Sequence, residues 1–212
     1  MKSISILVLV LFLAGCKSPL VADHLAVSGG TLYYDDFSDK SSGWPRSSGA
    51  SGSMDYDENG SYRIVVNSPN YDMWAVLDQV FQGVRIEVDA TPLAVLDGNR
   101  YGEVCRYRGP QDFYFFVVTA DGYYSIGKVK DNVQSLLEQD IMVFSKAIHT
   151  GSTMNHLRFD CIGQDLTGYV NDQAIAFAKD AEFTSGKTGL IAGTFDQPGA
   201  EVSFDNFMVY KP

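Results

Sequence analysis

Apolar and polar side chains alternate with period two in short runs along most of this chain. Tyr62, Ile64 and Val66 alternate with Arg63, Val65 and Asn67, and Val84, Ile86 and Val88 alternate with Arg85, Glu87 and Asp89. An extended strand with one buried and one wet face imposes that period, and the second run sets three charges on its wet side. Further runs predict strands at 31–37, 72–78, 101–107, 113–119, 123–130, 155–162, 165–171, 174–178, 188–194 and 201–210, separated by Gly, Asn, Asp and Pro. Asp121-Gly122 reads as a hairpin turn, and Asn171-Asp172 turns another pair. Only 133–148 has room for a short helix, and SSGWPRSSGASGS (41–53) reads as a flexible loop by composition. The pattern predicts an all-β fold, a sandwich or a barrel.

The first residues, MKSISILVLVLFLAGCK, break this pattern with one Lys and an apolar run from Ile4 to Leu13, the layout of a secretory signal too short to span a bilayer. Leu13-Ala14-Gly15-Cys16 resembles the bacterial lipobox, which implies cleavage before Cys16 and lipidation of that residue. The other reading is an ordinary signal cut at a nearby small residue. Two or more acyl chains anchor stably where one binds reversibly. The expected organisation is a signal peptide over 1–15, a turn-rich tether over 16–30 and one domain over 31–212. The expected location is extracytoplasmic, lipid-anchored to the membrane of a bacterial cell envelope.

The formal net charge of -10 excludes nucleic acid as a partner, since phosphates require a Lys and Arg footprint, and it disfavours docking on anionic lipid. With Cys16 lipidated, Cys105 and Cys161 remain, in a compartment that permits disulfides. Each sits in a strand-like run, so they pair if those strands are neighbours and stay free thiols otherwise.

Chemical motifs are sparse. Asp55-Tyr-Asp57-Glu-Asn59-Gly60 matches the first half of an EF-hand loop, but Val66 stands where the bidentate Glu belongs, so the segment reads as an Asn-Gly turn entering a strand. A Gly-x-Ser-x-Gly elbow, a phosphate loop and HExxH are all missing, and His24, His149 and His156 have no partner at ligand spacing.

YYDDFSDKSSGW near the start and VSFDNFMVY at the end, with CRYRGPQDFYFFVVTADGYYSIGK, NHLRFDCIGQDLTGYVND and SGKTGLIAGTF between, resemble the concanavalin A-like lectin/glucanase superfamily. Within it they resemble bacterial laminin-G-like domains akin to 3-keto-disaccharide hydrolases. The resemblance implies a jelly roll, a two-sheet antiparallel β-sandwich with the first and last strands adjacent. It also implies a structural calcium, held by the Asp205 carboxylate and the carbonyls of Asp36 and Gly60; the alternative is that Asp205 only accepts bonds from backbone amides. Glucanases of the superfamily carry Glu-x-Asp-x-Glu on one strand, whereas this chain has Glu103-Val-Cys105-Arg-Tyr107, one acid of three, so retaining hydrolysis by that route is not expected.

For a ligand site, alternation in DMWAVLD sets Trp74 opposite Met73, Ala75 and Leu77, and Arg106, Tyr107 and Tyr114 lie on strands able to line the same sheet. Two readings follow: Trp74 stacked with an Arg as packing, or a site for a glycan or another cell-surface component, including a protein. The functional expectation is a non-catalytic lipoprotein binding such a component, with a glycoside-active enzyme of the 3-keto-disaccharide type as the alternative. In the last strand, alternation groups Val202, Phe204, Met208 and Tyr210 on the apolar face and Asp205 with Ser203, Phe207 and Val209 on the other.

Overall fold

The computed structural model describes residues 29–94 and 99–212; the expected signal segment, Cys16 and nearly all of the expected tether lie outside the described residues. Within them the chain forms two antiparallel sheets and no helix. The larger sheet runs β14 (Gln173–Lys179), β13 (Asp165–Val170), β12 (Asn155–Ile162), β6 (Val84–Ala94), β16 (Ala200–Tyr210), β4 (Tyr62–Val66), β3 (Gly52–Tyr56) and β2 (Ser47–Gly49), and β1 (Thr31–Asp35) also pairs with β16. The smaller runs β10 (Val133–Leu136), β9 (Tyr123–Lys130), β8 (Asp112–Thr119), β7 (Arg100–Gly109), β15 (Lys187–Gly193) and β5 (Asp72–Val76), with β11 (Val143–Phe144) also on β9. This is an all-β sandwich of jelly-roll type: the alternation predicts its strands, and the family resemblance implies the jelly roll.

The sheets face each other through the alternating apolar rows. Ile64, Val66, Ile86, Val88, Leu157, Phe159 and Phe204 from the larger sheet meet Tyr101, Tyr114, Phe116 and Leu190 from the smaller, all 0–1 % exposed. Removing such rows from water is the main stabilising term of a sandwich, worth about 1.5–3 kcal/mol for each fully buried large apolar side chain. A disulfide between Cys105 on β7 and Cys161 on β12 crosses this interior and ties one sheet to the other.

Two segments differ from expectation. The stretch 133–148 holds β10 and β11 in place of a helix, because Asp131 and Asn132 both adopt left-handed backbone (φ 52 and 66). That pair forms a two-residue hairpin turn and folds the chain back on β9. The Ser- and Gly-rich stretch 41–53 contains β2 and the start of β3. At Gly52 the backbone passes so close to β4 that a Cβ would lie 2.1 Å from the Val65 carbonyl oxygen, so the glycine is a packing requirement there.

Strand β16 joins the two ends of the domain. Residues 201–205 and 208–210 pair with β6 on one side; on the other, 200–204 pairs with β4 and 207–210 with β1, which puts Tyr34 opposite Met208 and Asp35 opposite Phe207. At the handover the register against β6 gains one residue between Asp205 and Met208, and Asn206 is left-handed (φ 52). This β-bulge inverts the facing of the remaining residues. Phe207 and Val209 point into the core, whereas Met208 and Tyr210 are only partly buried, the reverse of simple alternation.

The opening motif is explained by the same corner. Asp35 is buried and accepts hydrogen bonds from the Phe37 amide (2.8 Å), the Trp44 indole (2.9 Å) and the Tyr33 hydroxyl (3.0 Å). Trp44 in turn packs against Phe37 and Phe207, with ring centroids 5.2 and 4.9 Å away. Asp35 and Trp44 thus pin the first strand to the last.

Candidate functional site

The outward face of the smaller sheet is apolar rather than wet. Val104, Phe113, Phe115, Val117 and Ile191 form a cluster separate from the interior core, flanked by Trp74, Val76 and Tyr107. The Trp74 ring lies 5.6 Å from Phe113 and 6.3 Å from Tyr107, and its indole N–H donates to the Tyr107 hydroxyl at 2.9 Å. At one end of the cluster Arg100 makes a two-pronged contact with Asp72, Nε to Oδ1 at 2.8 Å and Nη2 to Oδ2 at 2.7 Å, and its guanidinium lies 4.4 Å from the Phe195 ring. Aromatic planes beside a fixed polar fork are the mixture that recognises a ring carrying both apolar faces and hydroxyls.

Of the four residues expected at this site, the fold brings Trp74 and Tyr107 together and sends Arg106 and Tyr114 elsewhere. Tyr114 points into the interior, where its hydroxyl donates to Asp180 (2.5 Å) and accepts from the Phe183 amide (3.0 Å). Arg106 sits at a second bulge, where β7 gains one residue against β15 between Val104 and Tyr107, and its backbone is left-handed (φ 52). That extra residue buries the Arg106 side chain and swings Tyr107 to the outward face, whereas unbroken alternation groups Tyr107 with Cys105.

Glu103 precedes the bulge and shares the inward side with Tyr101 and Cys105. It is 0 % exposed, opposite Phe116 and Leu190, and neither carboxyl oxygen has a hydrogen-bond partner. Burial, with the charges of Glu87 and Asp160 behind it, pushes its pKa well above the ordinary carboxyl range, which favours the neutral acid. The one acid that the resemblance sets against the glucanase motif therefore faces away from the Trp74 cluster.

The outward face of the larger sheet holds the ionisable groups. His156 lies opposite Asp89 across β12 and β6, with Nδ1 2.8 Å from Asp89 Oδ1 and Nε2 3.8 Å from Glu87 Oε2. The hydrogen bond to Asp89 raises the His156 pKa; the same bond, joined by the Asn206 amide donating to Asp89 Oδ2 at 3.0 Å, holds Asp89 low. No linear spacing announces this pairing, since the partners are 67 residues apart.

The three positions expected to hold calcium converge around the β16 bulge. Asp205 sits opposite Asp89, at the gap between the end of β1 and the start of β4. Burial, together with the charges of Asp89 and Asp36, pushes the Asp205 pKa up against the bond it accepts from the Asn206 amide. Gly60 stands beside Ser38, two residues beyond Asp36, and Ser61 bonds to Ser203. Among the described residues no group of three or more His, Cys, Asp or Glu side chains is arranged to hold a metal ion. A site of one carboxylate with backbone carbonyls and waters still suits a hard cation, and mutually repelling carboxylates fit one. Asp205, Asp36 and Gly60 would hold it, and the ion would supply charge neutralisation where the first and last described strands meet.

No protein-family model matches the chain, and no curated protein matches its sequence. Solved structures do. The carbohydrate-binding module CBM66 from Bacillus subtilis superposes with a TM-score of 0.61 at 20 % identity over 79 % of this chain and 95 % of its own. A β-glucanase from Bacillus licheniformis gives 0.63 at 16 %, covering 88 % of this chain and 100 % of its own. A Bacillus subtilis protein of unknown function with a galectin-like fold gives 0.62 at 11 %, over 87 % and 97 %. The likeness is one of fold: the class defined here is a two-sheet antiparallel jelly-roll sandwich.

Proposed function

We propose that this protein binds carbohydrate without hydrolysing it, through the outward face of the smaller sheet, as an extracytoplasmic lipoprotein anchored through Cys16. The observation that carries this reading is the Trp74–Tyr107–Phe113 cluster on a sheet face beside the Asp72–Arg100 fork, with Glu103 turned away from it. The fold is shared with a carbohydrate-binding module and a glucanase, which supports a saccharide as the ligand class. On a glycan array followed by titration, Trp74→Ala is expected to weaken the best ligand at least tenfold, with its circular dichroism spectrum unchanged. Undiminished binding by that variant removes the site.

Calcium bound through Asp205, Asp36 and Gly60 belongs to the same reading and stabilises the junction of the first and last described strands. At a free concentration 100 times its Kd such an ion adds about 2.7 kcal/mol. A melting temperature that chelator leaves unmoved, starting from a calcium-loaded sample, returns Asp205 to a hydrogen-bonding role.

One observation favours the enzymatic alternative, a glycoside-active protein of the 3-keto-disaccharide type. Asp89 and Asp205 are cross-strand neighbours whose pKa values are displaced in opposite directions, the pairing that acid–base chemistry uses. Product release from a 3-keto-glycoside panel, abolished by Asp89→Asn, would establish it; silence across the panel leaves the binding function.

A further inference from the structure

A third feature stands apart from both faces. The Arg106 guanidinium, 2 % exposed, donates Nη1 to the Phe183 carbonyl and Nη2 to the Gly163 carbonyl, each at 2.7 Å, while Nε has no partner. No carboxylate among the described residues forms an ion pair with it. Asp180, the acid whose charge reaches it, is engaged by Lys128 and by the Tyr114 hydroxyl, both at 2.5 Å. The strained backbone at Arg106 is accommodated by Gly186, where a Cβ would lie 2.4 Å from the Arg106 carbonyl carbon. The Tyr114 ring also lies 5.7 Å from the guanidinium carbon, but a buried cation with carbonyls and a ring for partners and no ion pair is costly unless a ligand completes it.

Arg106 lies in the wall of a surface cavity of 490 Å³ whose other lining groups include Gln82, Gly83, Gly163, Gln164 and Thr184. Those side chains are amides and a hydroxyl, donors and acceptors without charge, and the volume suits a monosaccharide-sized group. A guanidinium matches a carboxylate, and neutral amides match hydroxyls. We propose that this cavity binds the carboxylate of an acidic sugar, a hexuronate unit, with Arg106 as the charge partner and Gln82, Gln164 and Thr184 as hydroxyl partners. The site is independent of the Trp74 face.

The test is calorimetric titration of the full chain with glucuronate and galacturonate, against glucose, galactose and inorganic phosphate. The uronates are expected to bind at least tenfold more tightly than the neutral sugars. Gln164→Glu, which places a negative charge on the exposed wall, is expected to weaken them at least tenfold, and Trp74→Ala to leave them unchanged. Arg106→Gln is expected to abolish uronate binding; if its melt shows loss of fold, Gln164→Glu decides. Silence with both uronates, equal affinity for neutral sugars, or indifference to Gln164→Glu overturns the proposal. Phosphate binding as tightly as the uronates overturns the sugar assignment in favour of a bare anion. Failure of the Trp74 reading leaves all these results unaffected.

Discussion

At the scale of single residues, Glu103 has the clearest consequence. An acid whose pKa is raised in the folded state keeps its proton there after the unfolded chain has lost it. Stability is therefore full below the ordinary carboxyl value of 4.5 and declines as pH rises toward the folded pKa. Glu103→Gln is expected to flatten that decline in a series of melts from pH 4 to pH 8; an unchanged slope would exonerate Glu103. Glu103→Leu, which replaces an unpartnered polar group among Phe116 and Leu190, is expected to stabilise the fold by about 1–3 kcal/mol at neutral pH in urea unfolding. His156 works in the opposite sense to its partner: protonation is favoured by Asp89, so Asp89→Asn should lower the His156 pKa, read from its ring proton shifts. Neither property is visible in the linear sequence. Glu103 lies between Gly102 and Val104 in a run that alternation alone does not orient, and His156 meets Asp89 only through strand pairing.

At the scale of elements, the two bulges decide what the strands present. Alternation locates β16 and β7 well, but a single inserted residue inverts the facing of everything beyond it, because the side-chain period is two. Phe207 and Val209 are core residues for that reason, and Tyr107 joins Trp74 for the same reason. Asn206 fits its position because Asn tolerates left-handed backbone better than other residues with a Cβ, and its side-chain amide donates to Asp89. Asn206→Gly should cost only the lost side-chain bonds to Asp89 and Tyr34, about 1 kcal/mol, whereas Asn206→Ala should cost roughly 2–3 kcal/mol because strain is added. Equal urea midpoints for the two variants would deny the backbone explanation. Turns divide in the same way: Asp121-Gly122 and Asn171-Asp172 are legible turn pairs, while Asp131-Asn132 lies against a segment whose weak pattern hides its strand.

At the scale of the whole molecule, two layers are held by the interior rows and by the Cys105–Cys161 bond between them. Replacing both cysteines with alanine is expected to lower stability by about 2–4 kcal/mol in urea unfolding, since the unfolded chain regains the freedom of a long loop; a loss under about 1 kcal/mol would mean the packing alone holds the layers. The sequence by itself determined the all-β class and the positions of most strands, because these follow from local period and turn chemistry. It also marked Trp74 as opposed to the core face of its strand. Only the tertiary structure decided that Trp74 meets Tyr107 and not Tyr114, that Asp205 faces Asp89 and Asp36, and that Arg106 is buried in a cavity wall. Each of those encounters depends on strand order and on two one-residue bulges. Such register shifts change side-chain facing without leaving a signature in hydrophobic periodicity.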